Sequence, residues 1–386
     1  MPDEYSDIRP YDDHQFHDKI AELVREPRFE HAVRYIMPDV DYPEFVNGLL
    51  QVESQMDFQE KVMGPFLELL VARTTDGLTL SGEENLVTGT SYTFITNHRD
   101  IVLDASFLNL CFIRRHMPIT QVAIGNNLLI YDWITDLVKL NRSFIVKRDV
   151  GVRQALDAAR QLSGYIHQTI RDRHESVWIA QREGRAKDSN DRTQDALVKM
   201  LSLAGGEDAT ENLCEINILP VAISYEYDPN DYLKVREFLM RRRDPEFKKS
   251  QRDDLFSMET GLLGRKGRVH FHLGRCINSE IQQCEGSRAE IVRSACEIID
   301  RNIHCGYRIF PCNYIAYDEV HNTDEYRAAY TDAEVEAFNK YVETQLSKVD
   351  VPDLTPEERE FMRHTMLSMY ANPLKNQRTA LDCKNI

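Results

Sequence analysis

"TFITNHRDIVLDAS", residues 93–106, is the stretch on which the fold turns. A short β-branched run, Tyr92 to Thr96, stops at Asn97-His98-Arg99-Asp100, and an apolar run, Ile101 to Arg115, follows with one acid, Asp104, inside it. Strand, turn and helix in immediate succession are the grammar of an α/β layer. Asp100 has the side chain to cap that helix. Residues 101–113 are almost all apolar, so the helix is expected to be buried, and a buried carboxylate at Asp104 demands a donor. His98, at the same helix end, is the nearest candidate. An imidazole held at one nitrogen by a buried acid keeps the other free as a general base. The plain alternative is that His98 satisfies a turn and Asp104 faces solvent.

Outward from this stretch, strand-like runs recur at Ser143 to Lys147, Ser176 to Ala180, Ile216 to Ser224 and Arg268 to Leu273. Helical patterns separate them at Asn126 to Leu140, Gly151 to His174 and Asp191 to Leu203. The alternation predicts an α/β domain with a mixed, largely parallel sheet flanked by helices. Residues 1–84 read as a helical N-terminal region interrupted at Pro27, Pro38 and Pro43, residues 85–280 as the α/β domain, and residues 281–386 as mostly helical, with capping signals at Thr331 and Thr355.

Composition narrows the function. With 386 residues and 42% hydrophobic content the chain can build a substantial core, and a net charge of −16 argues against a general nucleic-acid binder. Eight cysteines (Cys111, Cys214, Cys276, Cys284, Cys296, Cys305, Cys312, Cys383) contain no C-x-x-C pair and read as reduced thiols. The acidic start, "MPDEYSDIRPYDDHQFHD", has no signal-peptide pattern, and no run reaches the roughly 18 to 20 apolar residues of a membrane span. A cytoplasmic protein that meets a membrane from one side, if at all, is the expectation.

Several tempting signals lead elsewhere. His98-Arg99-Asp100 has the letters of a kinase catalytic loop, but the position five residues after Asp100 is Ala105 rather than Asn, and the chain has no glycine-rich phosphate loop upstream. His270 and His272 would share a strand face without a third ligand, so no metal is expected. The basic segment 234–254 reads as a solvated helix and loop, with attraction to lipid headgroups or an acidic carrier as the alternative. Trp133, with Leu129 and Leu137, makes an apolar face for a core, a bilayer or an acyl channel. Residues 307–320 read as a docking segment for the C-terminal helices.

Four stretches taken together carry a resemblance. "ITNHRDIVLD" (95–104) resembles the His/Asp motif of the glycerolipid acyltransferases, the family of glycerol-3-phosphate and lysophosphatidic acid acyltransferases. "NRSFIVKRD" (141–149), "VWIAQREGRAKD" (177–188) and "ILPVAISYE" (218–226) are similar to that family's second, third and fourth motifs, in the family's order, and "GRVHFHLGRCI" (267–277) resembles the domain's closing strand. The likeness spans roughly residues 85–280. It departs from the family in having five residues rather than four between His98 and Asp104, with Asp100 a closer acid, and in Lys147 standing where the family has Arg.

The resemblance implies a His98/Asp104 dyad, Asp104 being favoured over Asp100 as the orienting acid. It implies Lys147, Arg148, Arg182, Glu183, Gly184 and Arg185 as the substrate-binding set. The chemistry implied is transfer of a fatty acyl group from acyl-CoA or acyl carrier protein, as co-substrate and without a cofactor, to a glycerol phosphate-type acceptor. The acceptor expected is 1-acylglycerol-3-phosphate, a lysophospholipid, at the cytosolic face of a membrane. Glycerol 3-phosphate or an amino-lipid are alternatives within the class, and a non-catalytic lipid- or carrier-binding protein of the same fold is the alternative outside it. The dyad reading requires a His98 ring nitrogen within hydrogen-bond reach of Asp104 or Asp100, with Arg148 and Arg185 facing the same cleft.

Overall fold

The computed structural model describes residues 4–148 and 151–382. Asp149 and Cys383 lie outside the described residues. The chain opens with α1 (Asp13–Leu23), α2 (Pro27–Ile36), α3 (Tyr42–Leu50) and a short α4 (Gln55–Phe58) that runs through a wider turn into α5 (Gly64–Thr74). Prolines 27 and 43 stand in the first turns of α2 and α3, where a missing N–H costs nothing. The Glu26 and Asp41 side chains cap these two helices. The apolar faces of these helices share one core containing Phe16, Ile20, Phe29, Leu49 and Phe58, and the Trp133 ring packs edge-on to Phe29 at 6.1 Å. Trp133 and Leu137 therefore pack against this core.

Beyond α5 come β1 (Thr75–Ser81), β2 (Thr93–Thr96), α6 (Leu103–Ile113), β3 (Gln121–Gly125), α7 (Asp132–Leu140), β4 (Ser143–Val146), α8 (Val152–Arg171) and β5 (Val177–Ala180). They are followed by α9 (Asp195–Leu201), α10 (Ala209–Glu215), β6 (Ile218–Tyr225), α11 (Asp231–Arg243), α12 (Gln251–Leu263) and β7 (Gly267–Leu273). The seven strands form one sheet in the order β1-β7-β6-β2-β5-β3-β4. Strands β2 to β6 are mutually parallel, β7 runs antiparallel to β6, and β1 runs parallel to β7. The expected mixed, largely parallel sheet flanked by helices is the architecture found.

Strands β1 and β3 were not expected from the sequence. In β1 only Leu78 and Leu80 face the core, and β3 is a half-buried run of five residues, so neither gives a strong period-two signal. Because β1 pairs with β7 from Thr75 onward, the sheet begins inside the segment read as N-terminal helices.

Helix α6 is buried almost all round, with Leu103, Phe107, Leu108, Leu110 and Phe112 packed against one sheet face together with Leu67 and Leu70 of α5. At about 1.5–3 kcal/mol per fully buried large apolar side chain, this face anchors the turn that carries His98. The other face is covered by α8, α9 and α10 and by α14 (Arg288–Cys305), which follows the short α13 (Asn278–Ile281). The C-terminal region is helical as expected, but α14 belongs to the sheet's own layer.

The remaining helices, α15 (Pro311–His321), α16 (Asp332–Leu346) and α17 (Pro356–Asp382), form a separate core against α11. Residues 311–321 dock them, packing along α17. The Thr331 and Thr355 caps form with Glu334 and Glu358. Much of the basic segment is neutralised within the fold: Lys234 is buried against Asp228, Arg241 and Lys249 pair with Glu237, and Arg243 pairs with Glu358. His270 and His272 are both bonded to Ser81 of β1, and Thr79 also reaches His270. No helix among the described residues is long and apolar enough to cross a membrane.

Asp231, fully buried at the start of α11, joins these layers. Its carboxyl accepts from the Tyr341 and Tyr370 hydroxyls at 2.7 and 2.8 Å and from Gln345 Nε2 at 2.9 Å. Burial pushes its pKa up to about 7, with the Asp228 charge adding to the effect. The folded state then holds a proton that the unfolded chain releases near pH 4, so this group's stabilisation is complete below that and is lost as pH rises toward 7. Asp231→Asn mimics the protonated acid. It should melt above the native chain by a margin that grows from pH 5 to pH 8; an equal difference at both values would contradict the assignment.

Candidate active site

Strand β2 is the middle strand of the seven-stranded sheet, between β6 and β5, and its carboxyl end opens where ligands of α/β sheets bind. Asn97 ends it. The Asn97 side chain donates from Nδ2 to the Ile223 carbonyl at 2.9 Å and accepts the Ile223 N–H at Oδ1 at 2.7 Å, replacing a backbone pairing with β6. The chain turns away at His98. Asp100 Oδ1 then accepts the Val102 and Leu103 N–H groups at 2.9 and 2.8 Å, capping α6 as expected although the helix begins two residues later than Ile101.

Asp104 sits in the first turn of α6, where Cβ vectors point back toward the helix N-terminus. Its Oδ2 accepts three donors: His98 Nδ1 at 2.8 Å, the Arg99 N–H at 2.6 Å and the Asp100 N–H at 3.1 Å. The geometry selects Asp104 over Asp100 as the acid on the histidine. The pair lie six positions apart, yet they meet because 98–102 form a turn that folds back over the helix end. The Asp104 side chain is buried, while the imidazole is 12% exposed and has no hydrogen bond at Nε2 among the described residues. The Trp178 ring packs edge-on to it at 5.9 Å.

Beneath the dyad lies a polar wall that the sequence did not reveal. Asp100 Oδ2 and the Asn230 amide are buried without a hydrogen-bond partner among the described residues, and the buried Tyr225 hydroxyl lies against the Asp104 carboxylate. Burial pushes the Asp100 carboxyl up, and the neighbouring Asp104 charge adds to this, while Lys266 and Arg185 oppose it. Burial, with the Asp104 and Asp100 charges adding to it, keeps Tyr225 a neutral hydroxyl well above its ordinary pKa. Lys266 is lowered to about 8 by burial, against the pull of Asp100. Burial works to raise the Asp228 carboxyl, but Lys234 and Arg185 hold it below its ordinary value.

The expected substrate-binding residues divide. Arg185 faces this wall: Nη1 is buried without a partner among the described residues, and its charge acts on Asp100 and Asp228. Arg182, on the same loop after β5, also has a buried, unpartnered Nε. Gly184 between them has φ +68, a left-handed conformation that favours glycine. Arg148 spans the neighbouring strand ends, with Nη1 3.5 Å from Glu183 and 3.4 Å from Asn127, and Glu183 is 67% exposed. Lys147 departs from the expectation. Just past the end of β4, Lys147 turns away from Arg148 to Asp7 at 2.5 Å and Gln161 at 2.9 Å. It lines a cavity of about 700 Å³ with Tyr5, Gln154, Asp157 and Arg160, which does not include His98.

The arrangement offers an imidazole oriented by a buried carboxylate and, near Asp100, a guanidinium with one buried nitrogen that has no partner among the described residues. Among the described residues no group of three or more His, Cys, Asp or Glu is placed to hold a metal. No family model matches the chain. No curated protein matches it either. Among solved structures, the 1-acyl-sn-glycerophosphate (LPA) acyltransferase PlsC from Thermotoga maritima is similar over 74% of this chain and 95% of its own, at 12% identity and a TM-score of 0.38. At that score the overlay carries no argument about the reaction, and the site stands on its own geometry.

Gly261 of α12 makes the wall possible. A Cβ there would lie 2.0 Å from Asp100 Oδ2 and 3.3 Å from Asn230 Nδ2. Asp100 cannot swing aside freely, because its other oxygen caps α6. Gly261→Ala should therefore destabilise the protein by about 1–3 kcal/mol, read from urea unfolding. An unchanged midpoint would show that Asp100 does not need its present position.

Proposed function

We propose that the protein is an acyltransferase moving a fatty acyl group from acyl-CoA or acyl carrier protein to the hydroxyl of a glycerol phosphate-type acceptor, with 1-acylglycerol-3-phosphate as the acceptor of choice. The single observation that carries the reading is His98, fixed through Nδ1 by a buried carboxylate and open at Nε2, at the carboxyl end of the central strand. The order of the motif-like stretches 95–104, 141–149, 177–188 and 218–226 supports the substrate class.

In this reading Nε2 accepts the proton of the acceptor hydroxyl as its oxygen attacks the thioester carbonyl. The new C–O bond forms, the tetrahedral intermediate collapses with loss of the thiolate, and the imidazolium returns its proton to that sulfur. Asp104 stabilises the imidazolium, receiving Nδ1–H throughout. Arg185 and Arg182, with buried guanidinium nitrogens unpaired, are the groups suited to the acceptor's phosphate. Arg148, 3.5 Å from Glu183, could join them by exchanging that exposed partner for phosphate. Lys147 has no part in the proposed site. A lysophospholipid acceptor implies work at a membrane surface, which we place on the cytosolic side.

The test is thiol release from acyl-CoA and from acyl carrier protein thioesters, with 1-acylglycerol-3-phosphate or glycerol 3-phosphate as acceptor. Release dependent on the acylated acceptor is expected, and Arg185→Ala should raise KM for it by about ten-fold or more while weakening phosphate-free acceptors little. No acceptor-dependent release with either donor would contradict the reading.

A further inference from the structure

We propose that Arg99, Asp191 and Tyr307 form a clamp through which the C-terminal helices hold the His98–Asp104 pair in register, each acting as a positioning residue. The proposal rests on the acyltransferase reading for its kinetics, though not for its geometry.

The Arg99 N–H donates to the same Asp104 oxygen that holds His98, at 2.6 Å. Wherever the backbone of residue 99 sits, the carboxylate and the imidazole must follow. The Arg99 side chain fixes that backbone. Its guanidinium is buried and forks onto Asp191, with Nη2 2.6 Å from Oδ2 and Nη1 3.3 Å from Oδ1. Asp191 is fully buried on the loop between β5 and α9.

Asp191 is itself held from the C-terminal side. The Tyr307 hydroxyl donates to Asp191 Oδ2 at 2.5 Å, the Asp191 carbonyl lies 3.0 Å from His304 Nε2, and the Arg99 guanidinium stands over the Tyr307 ring at 5.8 Å. Gln377 of α17 donates to the Tyr307 carbonyl at 2.6 Å. A continuous path of polar contacts thus runs from α17 through Tyr307, Asp191 and Arg99 to Asp104 and His98. A buried ion pair adds little to stability over well-packed apolar side chains, but it fixes direction, and a forked guanidinium does so in a plane. General-base geometry needs that tolerance, since a small misplacement of the base is costly in rate.

The experiment compares the full-length native chain with Arg99→Lys, Asp191→Asn and Tyr307→Phe, well below their melting temperatures. Thiol release is measured alongside the downfield proton resonance of His98 Nδ1–H, identified by its loss in His98→Ala. Arg99→Lys and Asp191→Asn should lower kcat by about ten- to a hundred-fold and broaden or shift the resonance, with KM for the acceptor within about two-fold. Tyr307→Phe, the mildest change, should move both readouts the same way by less, and it decides the matter if the other two do not fold. Folded variants with native kcat and an unmoved resonance would overturn the clamp. A native chain with no turnover would contradict the acyltransferase reading instead, and the resonance would still decide the clamp.

Discussion

One carboxylate oxygen, Asp104 Oδ2, receives the His98 ring and two consecutive backbone N–H groups, and the arrangement of the site depends on that convergence. Each donor alone would be an ordinary contact. Together they determine the path of the chain from β2 to α6, the tautomer of His98 and the direction of its free nitrogen. A buried carboxylate is tolerable only when it is this well supplied with donors. The apolar packing of α6 then makes the arrangement rigid, because the helix cannot slide without exposing its Leu and Phe side chains.

Around this point the protein buries more charge than its stability requires. Arg99–Asp191 and Lys234–Asp228 are buried ion pairs, Lys266 is buried near Asp100, and several buried polar groups have no partner among the described residues. Such groups are costly unless their geometry is satisfied, and clusters of them mark sites where rigidity or chemistry is needed. The C-terminal helices supply much of the satisfaction: Tyr307 to Asp191, and Tyr341, Tyr370 and Gln345 to Asp231. Through Tyr307 and Asp191 they reach Arg99 in the turn that carries His98.

How far the sequence could be read follows from where its information is local. The turn between β2 and α6, the buried helix and the alternation of strand and helix are written in neighbouring residues, so the sheet class and the His98–Asp104 pairing were legible. Arg185 was singled out through the resemblance of the stretch 177–188, and it lies on the loop after β5. Strands β1 and β3 were missed because their burial depends on what packs against them and not on their own period. Lys147 was misplaced for a similar reason: only the fold brings Asp7, in the N-terminal segment, to its side. Tyr225, Asn230, Asp191 and Tyr307 give no signal, since their meaning arises from residues far away in the chain. Arg99, inside the decisive stretch, could have been singled out as a buried cation in need of a partner.

The central claim is that His98 acts as the base. The most direct measurement is acceptor-dependent thiol release from an acyl thioester by the native chain and by His98→Ala, both folded and at equal concentration. The account predicts that release in the presence of 1-acylglycerol-3-phosphate is lost with the imidazole. Release that persists in His98→Ala at the native rate would contradict it and move the chemistry away from the turn at residue 98.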